Sequence, residues 1–235
     1  MKKTLYTALL IASFLFLCVP SAFSAAQQTY EESVKIAQNL RSHLSSLSSL
    51  TFVFTQRTKG QMSGRPKQAS GEAFFVKTDN GAKMRWNYLA PDRQVIISDG
   101  VTLQMYFEKL NQLIITSADS LQEDITYSFF TGEGDIEETF VISNGLDDGE
   151  NEETEKAYSV IKLTPKSPTS QIQDIRLWIT NNNEIKRLEI RDTFETLTML
   201  NLSNTRENSL LKDGSLLIKD LFTFSPPEGT EIINQ

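Results

Sequence analysis

The feature that most limits what this chain can become is a two-residue alternation that keeps returning from Phe52 onward. It is clearest where Met84, Trp86 and Tyr88 take one side of the chain and Lys83, Arg85 and Asn87 the other, the period of a strand with one face buried and one in water. The same reading predicts strands at Phe52–Thr55, Gly71–Val76, Val95–Ser98, Val101–Phe107, Gln112–Thr116 and Thr139–Ser143. It continues at Tyr158–Thr164, Ile175–Thr180, Ile185–Arg191, Thr196–Ser203 and Leu216–Phe224. Pro91 ends the third strand, Asp99-Gly100 is a two-residue hairpin signal, and Asn181-Asn182-Asn183 supplies another turn. About eleven short strands on hairpin-length links, with no alternation of strand and helix, imply a mainly β fold in which one antiparallel sheet curls into a barrel or half-barrel.

Two segments break that rhythm. Behind a capping box at Thr29 and Glu32, the residues Val34, Ala37, Leu40, Leu44 and Leu47 recur at three-to-four spacing and predict an amphipathic helix. Within Ser120–Phe130, the spacing of Leu121, Ile125, Phe129 and Phe130 predicts a shorter one. An apolar stripe on a helix needs a surface to cover, and a curled sheet too wide to fill its own concave face provides one. Leu40, Leu44, Ile125 and Phe129 are therefore the residues expected to form a lid.

The beginning of the chain is of another kind. Lys2 and Lys3 precede an apolar run from Leu5 to Val19, then Pro20 and the small residues around Ser24 and Ala26, the pattern of a signal peptide. Residues 1–24 are expected to be removed, with cleavage after Ser24 or Ala26, leaving one domain over 25–235. Cys18, the only cysteine, follows Leu15-Phe16-Leu17 where lipid attachment wants small residues, and goes with the leader. Disulfides and cysteine-bound metals then drop out. Loss of Lys2 and Lys3 leaves 21 of the 23 basic residues against 30 acidic ones, a net charge of −9, which disfavours nucleic acid and anionic membrane as partners.

Enzymatic signatures are sparse. His43, the sole histidine, lies on the first helix with no Ser, Cys or Asp constellation beside it. There is no nucleophile elbow and no Gly-rich phosphate loop. The acidic stretch 144–156 lacks the every-second-residue oxygen spacing of a calcium loop and reads as a solvated hairpin loop. No catalytic residue, metal or cofactor is expected, although paired-carboxylate chemistry keeps a hydrolase as a distant alternative.

Several short motifs carry a resemblance. Phe54-Thr55-Gln56, Gly71-Glu72-Ala73-Phe74, Arg85-Trp86 with Tyr88 and Pro91, and Gln94-Val95-Ile96-Ile97-Ser98-Asp99-Gly100 with Tyr106 come in that order. Leu163-Thr164-Pro165-Lys166 and Phe222-Thr223-Phe224-Ser225-Pro226-Pro227-Glu228-Gly229 complete the series. Together they resemble the outer-membrane lipoprotein carrier family, LolA. The resemblance implies an unclosed antiparallel barrel with a helical lid, whose cavity takes the acyl chains of lipoproteins. In that family the cargo comes from an inner-membrane lipoprotein-releasing ABC transporter and passes to an outer-membrane lipoprotein receptor, in the periplasm and without chemistry. It implies a cavity wall at Phe52, Phe54, Met84, Trp86, Leu103 and Met105. It also implies a gating arginine at the end of the second strand, where this chain has Lys77, which keeps the charge but loses the planar fork. Arg85 is the other gating candidate, although its alternation puts it opposite Met84 and Trp86. A carrier of another envelope lipid or glycolipid, and a lipoprotein-sensing regulator of the same fold, are the alternative readings.

Overall fold

A chain of alternating strands with one polar face can satisfy its backbone only by pairing neighbour to neighbour, and it does so here in two meanders. The computed structural model describes residues 22–60, 65–79, 81–122, 125–131, 135–146, 157–167, 171–210 and 219–235, with the side chains of 22–29, 120, 122 and 125 outside that description. The first meander runs through β1 (Ser49–Lys59), β2 (Lys67–Thr78), β3 (Gly81–Ala90), β4 (Gln94–Ser98), β5 (Thr102–Phe107) and β6 (Gln112–Ser117). The second runs through β7 (Phe140–Asn144), β8 (Ser159–Pro165), β9 (Ile172–Ile179), β10 (Ile185–Asp192) and β11 (Leu197–Glu207). Antiparallel pairing of β1 with β11 joins the two, and a last strand β12 (Glu231–Asn234) lies parallel to β6. The result is one twelve-stranded sheet whose ends, β12 and β7, do not pair with each other, so the barrel is unclosed.

Among the described residues the sheet is accompanied by α1 (Ala22–Ser46) before it, and by α2 (Asp119–Gln122), α3 (Ile125–Thr131) and α4 (Ile136–Thr139) between the meanders. The helix predicted at Ser120–Phe130 is matched by α2 and α3, on either side of residues 123–124, which lie outside the described residues. The first helix already includes the residues from Ala22 to the Thr29–Glu32 box, a stretch that carries no proline or glycine to stop it. The leader before residue 22 and the acidic residues 147–156 lie outside the described residues.

Local chemistry explains the turns. The β4–β5 hairpin centres on Gly100 and Val101, one residue beyond the expected Asp99-Gly100, since Asp99 and Thr102 close the ladder through a 3.3 Å backbone bond. Gly100 takes φ +96°, which a side chain would resist. The Asp99 carboxylate accepts the Val101 and Thr102 N–H groups at 2.9 and 2.8 Å. Burial raises its pKa, but these donors with Lys83 outweigh that and hold it below its ordinary value. Gly71 is required by space: a Cβ there would stand 1.9 Å from the Asn87 carbonyl oxygen and 2.9 Å from the Phe54 ring.

The strand expected at Leu216–Phe224 is a correction. Residues 216–218 lie outside the described residues, 219–221 are helical, and the chain then runs without ladder pairing to β12. The apolar residues that suggested a strand serve contacts instead: Phe222 is buried and Phe224 lies 5.0 Å from the Tyr106 ring.

Every second residue of each strand faces the concave side. In β8 to β10 these are Ile161, Leu163, Ile175, Leu177 and Leu188, essentially without solvent contact. Helix α1 packs on β7 and β8 and brings Ala37, Leu40 and Leu44 into this layer. In the middle of the sheet an aromatic cluster forms: Trp86 has ring centroids of Phe54, Phe52, Phe75, Phe130 and Tyr88 between 4.8 and 6.5 Å away, contacts worth about 0.5–1.5 kcal/mol each beyond burial.

Candidate functional site: an apolar cavity under two short helices

Beyond the aromatic cluster the concave face is not filled. A cavity of about 620 Å³ opens there, walled by Met84 and Trp86 of β3, Ile96 of β4, and Leu103 and Met105 of β5. The register explains this grouping: Trp86 lies opposite Ile96, Ile96 opposite Met105, and Met84 and Leu103 both pair with Ser98, so all five point the same way. Across the curl stand Ile190 of β10 with Thr198 and Leu200 of β11, and over the top stand Leu121 of α2 and Thr126 and Tyr127 of α3. Tyr127 donates its hydroxyl to the Ala82 carbonyl at 3.3 Å, fastening α3 to β3. Among the described residues lining the cavity there is no Asp, Glu, His, Lys or Arg.

Four of the six expected wall residues, Met84, Trp86, Leu103 and Met105, line the cavity. Phe52 and Phe54 stand one layer behind, buried against Trp86 at 5.7 and 4.8 Å. The expected lid residues divide similarly. Leu40 and Leu44 are buried in the layer under α1, and Phe129 is buried facing Phe140 at 6.4 Å, while Phe130 enters the aromatic cluster. Ile125 begins α3, and its side chain lies outside the described ones.

Lys77 reaches the end of α1. Its ammonium donates to the carbonyls of Leu44 at 3.0 Å and Ser45 at 2.8 Å, the last turn of α1, where helix carbonyls lack internal partners and the dipole favours a cation. Two more contacts hold the same half of α1: His43 Nε2 lies 2.7 Å from Glu207 of β11, and Arg41 pairs with Asp135 at 3.0 Å. Asp135 caps α4 by accepting the Glu138 N–H, and that bond, with Arg41, holds its carboxyl below its ordinary value.

Arg85 is elsewhere. It stands on the convex face, donating to Asn87 at 2.8 Å and to the Leu221 carbonyl at 2.7 Å, so it ties down the C-terminal segment and not the lid. Burial lowers its pKa, with Glu72 acting in the opposite sense.

Alternation alone could have extended the wall to Tyr88 and Ile96, which share a face with residues already singled out. Gln56, Ile190, Thr198 and Leu200 carry no local signal, because only the β1–β11 junction brings them round to the cavity.

Comparison with known proteins gives a consistent picture. The family model for the outer membrane lipoprotein carrier protein LolA matches residues 45–225, a span that holds β1 to β11 and omits most of α1 and all of β12. The outer-membrane lipoprotein carrier protein of Methylococcus capsulatus is 31% identical over 193 residues, 82% of this chain and 85% of its own. That of Cupriavidus pinatubonensis is 27% identical over 235 residues, 100% of this chain and 99% of its own. Among solved structures, MucB is similar with a TM-score of 0.50 at 11% identity, over 86% of this chain and 66% of that one, a likeness of fold alone.

Proposed function

The chain belongs to the LolA family of outer membrane lipoprotein carriers, and from that premise we propose that it is a periplasmic shuttle holding the acyl chains of lipoproteins in its cavity. The observation that carries this reading is the unfilled apolar space walled by Met84, Trp86, Leu103 and Met105 under α2 and α3. Each buried methylene contributes about 0.8 kcal/mol, so a chain of ordinary length is held in water by the hydrophobic effect alone. A lining without acidic, basic or histidine side chains among the described residues supports holding over chemistry. The leader, cleaved after Ser24 or Ala26, delivers a single domain to the periplasm. Lys77 takes the role of the gating arginine, and release of its two bonds to α1 accompanies opening. Cargo enters from an inner-membrane lipoprotein-releasing ABC transporter and leaves to an outer-membrane receptor.

The test is native mass spectrometry of the mature protein purified from its own periplasm. A stoichiometric complex with a triacylated lipoprotein, lost on Met84→Glu, is expected. Recovery of free lipid in place of lipoprotein would replace this reading by the envelope-lipid carrier, and an empty protein that also fails to take up added lipoprotein would overturn both.

A further inference from the structure

One end of the cavity is polar, and its hydrogen bonds run in a chain. Tyr88 donates its hydroxyl to the Gln56 side-chain oxygen at 3.0 Å, and the Gln56 amide nitrogen donates to Thr58 Oγ1 at 3.3 Å. Thr58 Oγ1 in turn lies 3.3 Å from Thr198 Oγ1. Gln56, Tyr88 and Thr198 all line the cavity. A carboxamide nitrogen carries two hydrogens, and only one is engaged. The bond from Tyr88 occupies one lone pair of the oxygen and fixes the orientation of the amide, and its nitrogen still offers a donor hydrogen.

The position of this group matters as much as its chemistry. In the ladder, Met84 is level with Leu50 through Phe75, while Thr198 is level with Thr58. The register therefore sets the levels of Met84 and Thr198 eight residues apart along β1, roughly 26 Å of strand at about 3.3 Å per residue. An acyl chain reaching from headgroup to bilayer midplane covers roughly 15 Å, so a chain laid against Met84, Trp86 and Leu103 brings its own polar end to Gln56. That end is remote from the Lys77 latch, since Lys77 lies beside the beginning of β1.

We propose that Gln56, oriented by Tyr88, donates a hydrogen bond to an acyl carbonyl oxygen of the bound lipid, and so selects ester- or amide-linked chains over plain hydrocarbon or ether-linked ones. This rests on the carrier reading and adds a polar specificity element to it. Gln56 binds cargo directly; Tyr88 is a positioning residue, holding the amide with its nitrogen available.

The experiment compares two synthetic probes on the full mature chain. One is a short peptide with an S-dipalmitoylglyceryl cysteine at its N-terminus, its amine left unacylated; the other is its analogue with ether-linked glyceryl chains, so that the two differ only in the acyl carbonyls. The wild type should bind the ester probe three- to tenfold more tightly, the range of one hydrogen bond. Gln56→Leu should bring the two affinities to within twofold and leave the ether probe unchanged. Gln56→Glu, nearly the same shape with the donor replaced by an acceptor, should lose at least as much if Gln56→Leu fails to fold. Tyr88→Phe should lose part of the preference. Equal binding of both probes by the wild type would overturn this proposal while leaving the carrier intact; binding of neither would overturn the carrier itself.

Discussion

The two halves of the concave face are built from the same pattern and end differently. Beside the second half of α1, which packs on β7 and β8, Leu40 and Leu44 join Ile161, Leu163, Ile175, Leu177 and Leu188 in one buried core cluster. Under α2 and α3, the inward residues of β3 to β5 face Leu121, Thr126 and Tyr127 across a cavity, and about 620 Å³ stays open. The aliphatic stripe of α1 converts a sheet face into core; the side chains of α2 and α3 stand over an open space. On the proposed carrier function the difference separates stability from binding within one sheet, and substitutions on either side should behave as two classes.

The widest separation is expected from truncations. Leu177→Ala, in the filled half, should cost about 2–5 kcal/mol, because it opens a void among fully buried neighbours. Met105→Ala borders an existing space and is only half-buried, so it should cost less than about 1.5 kcal/mol while weakening lipid binding by severalfold. Urea midpoints and a lipid-binding titration on both variants check this. Equal stability losses would erase the distinction between the halves.

A smaller effect tests how firmly β2 holds the helix over the filled half. Lys77→Ala removes two charge-assisted bonds to the end of α1 and should destabilise by about 1–2 kcal/mol, with faster hydrogen exchange confined to the last turns of α1. Lys77→Arg should restore most of the protection. Uniform loss of protection across β8 to β10 would show that the lysine supports the core and not the helix end.

The smallest effect is electrostatic. The Asp135 carboxyl is held below its ordinary value first by the Glu138 N–H, which desolvation opposes and to which Arg41 and the Glu137 N–H add. A depressed folded pKa contributes stability that is whole above the unfolded value of about 3.9 and is lost as pH falls through the lower folded value. Asn caps helices as well as Asp, so Asp135→Asn deletes only the charge. Wild type and variant should differ by a constant margin near neutral pH and converge in acid. A margin that persists in acid would mean that the α1–α4 tie does not depend on the carboxylate.

Legibility in the sequence followed the range of the forces involved. The strands of both meanders were readable within a few residues, because the pleat imposes its period on neighbours. The final segment was not: Phe222 and Phe224 look like strand residues, yet Phe222 is buried and Phe224 packs against Tyr106 in a segment that crosses the sheet without joining the ladder. β12 was missed because four residues, Glu231–Asn234, show too little alternation to read. At the site, Met84 and Trp86 could be placed on one face from the alternation itself. That Phe52 and Phe54 form the backing of the wall, with Trp86 between them and the cavity, depends on the curvature of the sheet.

What the sequence determined by itself is which side of every strand turns inward, where the helices lie, and that the inward faces are apolar. Those are consequences of a two-residue pleat and a 3.6-residue helix, both set by the backbone within a few positions. Whether an inward residue becomes core or cavity wall was decided only in three dimensions. It depends on the volume of the helix that crosses it and on the β1–β11 junction, which carries Thr198 and Leu200 round to face Met105 and Trp86. Space is a property of surfaces far apart in the chain, and no local period encodes it.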